Sequence, residues 1–157
     1  MRDNMIRLAE EKDILKIEDL LAQVHDVHYQ IRPDIFKEGV NKYNESEIAN
    51  ILNDKNRPIF VYEKDGIVVG YVFCIIKIDD DKSHIYHKTL FIDDICVDKN
   101  YQRQNIGNIL YEYVKAYAKK EGCYNITLNV WKNNESAEKF YEKLGMKVLK
   151  TTLEEIL

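Results

Sequence analysis

Apolar residues along the chain switch repeatedly between a period of two and a period near 3.6. Met5 to Leu8 reads as a short opening strand. Ile14, Ile17, Leu21 and Val24 then recur at helical spacing, with Asp13 placed to cap that helix. Arg32 to Glu38 reads as an irregular or short helical crossing, and Ser46 opens a short helix carrying Ile48, Ile51 and Leu52. Ile59–Tyr62 and Ile67–Ile78 form two strands around Asp65-Gly66, a strong hairpin signal. After the polar turn at 79–82, a further strand runs from about Ile85 to Val97. Ile106, Ile109, Leu110, Tyr113, Val114 and Tyr117 make one helical stripe, which Gly122 closes. Tyr124 to Val130 is again a strand. Ala137, Phe140, Tyr141 and Leu144 line a last helix, closed by Gly145, and Met146 to Leu157 offers one more strand or hairpin arm. Strands alternating with helices predict an α/β layer structure around a sheet.

With 157 residues, no repeat and no Pro/Gly linker, the whole chain, 1–157, reads as a single domain. Hydrophobic residues make up 45% of it, enough for a core without staples. Cys74, Cys96 and Cys123 are scattered, which excludes a disulfide framework or a Cys-x-x-Cys metal site and fits a reducing cytoplasm. No apolar run is long enough to span a bilayer, and the polar start shows no leader, so neither a membrane partner nor export is expected. A net charge of −4 disfavours nucleic acid as a partner. It suits a cationic partner, although an acidic surface serves solubility equally well. His25 and His28 share a helix face, but further metal ligands are missing, so no metal is expected.

The stretch from Val97 to Leu110 carries the most chemistry. It is a strand, then a polar loop with no acid after Asp98, then a helix start. Such a start offers unpaired N–H groups and a positive dipole end to a pyrophosphate. Gly107 lets backbone approach a ligand, and Arg103 adds a charge for a phosphate oxygen. An ordinary strand-to-helix loop containing one glycine has the same pattern.

Gln102-Arg103-Gln104-Asn105-Ile106-Gly107 resembles the Gln/Arg-x-x-Gly-x-Gly/Ala signature of the GNAT (GCN5-related) N-acetyltransferase family. Asn105 stands where the first glycine is usual; asparagine tolerates positive φ best after glycine. Asn129 to Met146 resembles the family's C-terminal signature, with Asn134, Ala137, Phe140, Tyr141 and Gly145 in place and Met146 replacing an aromatic residue. Ile6-Arg7-Leu8-Ala9 and Ile67 to Tyr71 resemble its first and third strands, so the likeness covers nearly the whole chain.

The resemblance implies a mixed, mostly antiparallel central sheet flanked by helices, with splayed central strands. It implies acetyl-coenzyme A as co-substrate, its pyrophosphate held by Gln102, Arg103, Gln104, Asn105, Ile106, Gly107 and Asn108, with Asn134 as a further contact. Asn134 also suits a helix N-cap. Backbone N–H groups of Ile95, Cys96 and Val97 would hold the pantetheine arm and the developing oxyanion. Cys96 itself reads as a small buried hydrophobe rather than a nucleophile. Tyr141, a core aromatic by its stripe, would by resemblance protonate the leaving thiolate. A homodimer is a further possibility that the family raises.

Phe91 to Val97 sets two carboxylates inside an apolar strand, where an unpaired charge is costly. Alternation predicts Asp93 and Asp94 on opposite faces. The segment resembles the corresponding strand of polyamine acetyltransferases, which implies Asp93 as base and Asp94 as a contact for the substrate ammonium; purely structural pairing of both remains open. His28 and Tyr29 fall where the family builds its acceptor wall. The expected acceptor is a small amine, with a protein N-terminus or lysine, or a non-catalytic acyl-coenzyme A module, as alternatives. Trp131, His84 and His87 read as packing and strand residues.

Overall fold

A computed structural model describes residues 4–157. The elements follow the predicted order: β1 Met5–Leu8, α1 Ile14–Ile31, α2 Glu45–Leu52, β2 Ile59–Lys64, β3 Ile67–Asp79, β4 His87–Val97, α3 Ile106–Lys120, β5 Asn125–Leu128 and α4 Glu135–Lys143. The sheet runs β1-β2-β3-β4-β5. Its first three pairings are antiparallel and the last, β4 with β5, is parallel. This is the mixed, mostly antiparallel sheet expected from the sequence.

Helices cover both faces. On one, Ile14, Ile17, Leu20 and Leu21 of α1 and Ile48 and Ile51 of α2 pack on Ile59, Val61, Val68, Tyr71, Phe73 and Cys96. On the other, Ile106, Leu110, Tyr111, Val114 and Ala118 of α3 pack on Phe60, Val69, Val72, Cys74, Leu90 and Ile92. Burial on both faces explains why β3 reads as an unbroken apolar run rather than an alternating one. Each fully buried aliphatic side chain contributes about 1.5–3 kcal/mol.

Turn chemistry sets the boundaries. Asp65 and Gly66 both take positive φ (51° and 81°), as a two-residue hairpin of the primed type requires. Both α3 and α4 end in Schellman caps. Gly122 N–H bonds to Lys119 O and Cys123 N–H to Ala118 O; Gly145 N–H bonds to Glu142 O and Met146 N–H to Tyr141 O. Asp13 departs from expectation. It stands at the start of α1, but its side chain caps nothing there. Instead it accepts from Arg7 Nη1 at 2.7 Å and from Glu10 N–H at 2.8 Å, tying β1 to the turn before α1. The tail also differs: residues 147–157 form neither strand nor hairpin.

One irregularity organises the sheet's centre. Phe73 pairs with Asp94, yet Cys74 pairs with Ile92, so Asp93 is an extra, bulged residue in β4. Pairing of β4 with β5 stops at the same point, with Ile92 opposite Leu128. From Asp94 to Val97, β4 keeps β3 as partner on one side and has no strand on the other.

Gly70 allows β3, β4 and α3 to meet. A Cβ there would lie 3.0 Å from Cys96 O and 3.1 Å from Leu110 Cδ1. Gly70→Ala should therefore lose about 1–3 kcal/mol of stability by overpacking. A urea midpoint equal to wild type would show that the backbone of β4 and the side chain of Leu110 yield freely.

Candidate active site

The bulge re-aims the acidic pair. Asp93 accepts from Tyr43 Oη at 2.5 Å and from Lys42 Nζ at 2.9 Å. Asp94 accepts from Tyr71 Oη at 2.5 Å. Tyr71 belongs to the core under α1 and α2, and Tyr43 packs against that same core. Both carboxylates thus turn to the α1/α2 side, where simple alternation predicts opposite faces. Their environments differ. Asp93 has donors on both oxygens, and Tyr43 in turn receives a hydrogen bond from Arg57 at 3.0 Å. Asp94 lies deep in the protein, with a minority of its surface still open. Burial pushes its pKa up to about 6, against the opposing effects of the Tyr71 hydroxyl and the Lys42 charge.

Tyr141, on α4, is close enough to feel that carboxylate. Burial first, and the Asp94 charge second, push its phenol well above the ordinary tyrosine value. It is held as a neutral O–H donor. Phe140 beside it fills the space over Gly107: a Cβ at Gly107 would meet the Phe140 ring at 3.1 Å. Packing of α4 on α3 by itself thus calls for a glycine here.

The loop after β4 has the strain expected of an anion cradle. Arg103 and Asn105 both have φ of 64°, in the left-handed region. The left-handed Asn105 precedes helical Ile106, a pairing that turns successive N–H groups towards a concave side. Asn105 does not cap α3 with its side chain, so the first-turn N–H groups keep their polarity for another acceptor. Gln102, Arg103, Gln104 and Asn105 are exposed; Asn108 and Gly107 are half-buried and Ile106 is buried. Gln102 reaches back to Val97 O at 3.4 Å, and Gln104 accepts from Lys64. Asp98, the acid at the loop's start, is buried. Burial raises its pKa, but Lys16 at 2.7 Å, the Asn100 N–H and Gln23 outweigh that and hold it below the usual carboxylate range. The loop therefore presents no free negative charge until Glu112.

Asn134 caps α4, accepting from Ala137 N–H at 3.3 Å. Ile95, Cys96 and Val97 belong to the part of β4 that pairs with β3 but is not covered by β5. Cys96 is buried, its thiol bonded to Leu20 O and its pKa raised by burial, which leaves it unreactive. Opposite, the rings of His25 and His28 meet Phe36 at 5.7 and 5.3 Å, and Phe36 meets Trp131 at 5.3 Å. Burial, with Lys42 and His25 nearby, lowers the His28 pKa, favouring the neutral ring. Tyr29 makes no ring contact or hydrogen bond among the described residues. Lys42, Tyr43, Arg57 and Tyr71 join the acidic pair without any signal in the sequence, because their partners lie 14 to 51 residues away. Phe36 and Trp131, which carry no motif of their own, meet to form the wall. Among the described residues there is no metal-ligand cluster, and no helix is long and apolar enough to cross a membrane.

Comparisons with known proteins bear on the family and the fold. Residues 25–146 match the profile of the Acetyltransferase (GNAT) family. The probable N-acetyltransferase san of Drosophila melanogaster is 32% identical over 110 residues, 69% of this chain and 56% of that protein. N-alpha-acetyltransferase 50 of Danio rerio is 31% identical over the same share of this chain and 62% of its own. The chain thus spans about three fifths of these two relatives. Thialysine N-epsilon-acetyltransferase of Bos taurus is 28% identical over 90% of this chain and 76% of its own. A mutant of the Bacillus halodurans protein BH1408 superposes with a TM-score of 0.93 at 28% identity, covering 98% of this chain and 99% of that one. With a matched profile over most of its length, the chain belongs to the GNAT acetyltransferase family.

Proposed function

We propose that the protein transfers an acetyl group from acetyl-coenzyme A to a primary amine, by direct attack within a ternary complex. The observation that carries this reading is the unpaired half of β4, Asp93 to Val97, lying between the uncapped start of α3 and the Tyr141–Asp94 pair. An open strand edge supplies N–H groups to an extended amide arm, and a helix start with a left-handed entry supplies them to a pyrophosphate. Gln102 to Asn108 and Asn134 would hold the nucleotide end, and Ile95 to Val97 the arm and thioester.

An alkyl amine is mostly protonated at neutral pH, and only its free form attacks. We place the base at Asp94 rather than Asp93. Asp94 combines depth with a pKa near 6, whereas both oxygens of Asp93 are engaged by Lys42 and Tyr43. Asp94 takes the amine proton, directly or through water. The amine nitrogen bonds to the carbonyl carbon, a backbone N–H near Cys96 or Val97 steadies the oxyanion, and the carbon–sulfur bond breaks. Tyr141 then gives its proton to the leaving thiolate. Asp93, with Lys42 bound where a second ammonium would sit, anchors the acceptor wall of His28, Tyr29, Phe36 and Trp131.

The acidic pair favours a small cationic amine. The named relatives include an N-alpha-acetyltransferase and a thialysine N-epsilon-acetyltransferase, so a peptide N-terminus is the second reading. A thiol-release assay across polyamines, thialysine-like amino acids and peptide N-termini decides between them. Bound coenzyme A with no acetylated product across that panel would reduce the protein to a binding module.

Three outcomes test the assignments. Tyr141→Phe should lower kcat about 100-fold while coenzyme A affinity, read by calorimetry, stays unchanged; full activity would remove Tyr141 from the chemistry. The rate should rise with pH through an apparent pKa near 6, and Asp94→Asn should abolish that limb with the rate. The same substitution has a signature in stability. The folded protein holds the Asp94 proton more tightly than the unfolded chain, so the associated stability is full below about pH 4 and is lost as pH rises through 6. Asp94→Asn should therefore gain on wild type between pH 4 and 8, by up to about 3 kcal/mol in denaturant titrations. A constant difference across that range would mean that Asp94 ionises normally.

A further inference from the structure

The loop that joins α1 to α2 brings to the acidic pair a charge that the transfer chemistry leaves unused. Residues 32–44 contain neither helix nor strand, yet the chain on either side of Lys42 is fixed. Asn41 before it donates to Glu18 O at 3.0 Å. Tyr43 after it stacks on Phe73, ring centroids 5.5 Å apart, and donates to Asp93. With both neighbours anchored, the lysine stem starts from a set position. Its Nζ donates to Asp93 Oδ1 at 2.9 Å and to Asp93 O at 3.2 Å. The Asp93 side chain is 10% exposed and that of Lys42 47%, so the lysine is the solvent-facing member of the pair.

That ammonium acts on the rest of the site. Burial raises the Asp94 pKa and the Lys42 charge opposes it; burial lowers the His28 pKa and the Lys42 charge adds to it. Lys42 therefore stands within electrostatic reach of both the carboxylate and the acceptor wall. A second cation stands behind Tyr43: Arg57 donates to its hydroxyl at 3.0 Å and lies 5.6 Å from its ring centroid. Asp93 thus faces one cation directly and another through Tyr43. An ammonium has three N–H groups, and the one that Lys42 does not spend on Asp93 has no acceptor among the described residues. A half-exposed ion pair adds little to stability, and Asp93 keeps the Tyr43 hydroxyl without it, so packing alone does not call for a lysine here.

We propose that Lys42 sets the charge of the acceptor: it fills the seat that Asp93 would offer a second ammonium and gives its remaining N–H to a carboxylate, so the preferred substrate is an amine bearing an anionic group rather than a diamine. The proposal rests on the acetyl-transfer reading above and narrows it. The reacting ammonium still goes to Asp94. A second ammonium would have to expel one that is tethered in place, at an effective concentration on the order of millimolar or above. It would also meet the unscreened charge of Lys42, and like charges brought together in a partly desolvated site reject the wrong partner. A carboxylate meets the opposite field and gains a charge-assisted hydrogen bond.

Matched acceptors test this. γ-Aminobutyrate, putrescine and butylamine end in a carboxylate, an ammonium and a methyl group, and their longer homologues repeat the comparison at other lengths. For each, thiol release gives kcat/KM, and calorimetry gives Kd for the coenzyme A complex. The wild type should rank the amino acid first and the diamine last, about tenfold or more apart at the best-fitting length. Lys42→Gln keeps an N–H for Asp93 without the charge and should reverse that order; Lys42→Arg should preserve it. A wild type that favours the diamine at every length, a Lys42→Gln protein with the wild-type order, or the absence of binding by every acceptor would each overturn the proposal. The wild-type order decides alone if Lys42→Gln does not fold. Binding in the expected order without thiol release would uphold the role of Lys42 and sink the transfer reading, whereas thiol release greatest with putrescine would do the reverse.

Discussion

The bulge at Asp93 is the constraint on which the site depends. A single extra residue in β4 does three things at once. It turns two adjacent carboxylates to one side of the sheet, it ends the pairing of β4 with β5, and it leaves the segment to Val97 with a free main-chain edge. Without it, β5 would continue along β4 and fill the space into which α3, α4 and the acidic pair now converge. Bulges that end strand pairing in this way are common beside functional sites.

Electrostatics follow from that geometry. Asp94 is driven inward far enough for its pKa to rise, and Tyr71 beneath it gives it one hydrogen bond rather than a full counter-charge. Asp93, one residue away, receives a lysine and a tyrosine, so the two carboxylates end in different surroundings. Tyr141 stays neutral through the same burial, reinforced by the charge of Asp94. At the start of the loop that opens α3, Lys16 pairs with Asp98, and that loop is left without a free negative charge. A buried carboxylate on β4 and a neutral phenol on α4 thus stand close enough for the charge of one to act on the other.

The helices, their glycine caps, the Asp65-Gly66 turn and the order of strands were legible in the sequence, because each rests on residues close together in the chain. The left-handed Asn105 was legible for the same reason: asparagine tolerates positive φ, and the structure has it at 64°. Asp13 misled, since its strongest partner, Arg7, lies across a turn on β1. Gly107 has a packing partner that its motif does not show, since the Phe140 ring that occupies its open side comes from a helix some thirty residues later. Lys42, Tyr43, Arg57 and Tyr71 gave no signal at all, and neither did the tail's failure to pair.

By itself the sequence determined the alternation of strands and helices, the polar loop that opens α3, the presence of an acidic pair in an apolar strand and the likeness to an acetyltransferase family. Those properties are local, set by periodicity, capping and backbone tolerance. Only the tertiary structure decided which face each carboxylate takes, how deeply Asp94 is buried, what surrounds Tyr141 and which strand edges stay open. A bulge changes register by one residue and so reverses every orientation beyond it, and a pKa depends on depth and on charges brought in from distant segments. Neither quantity exists until the sheet has formed.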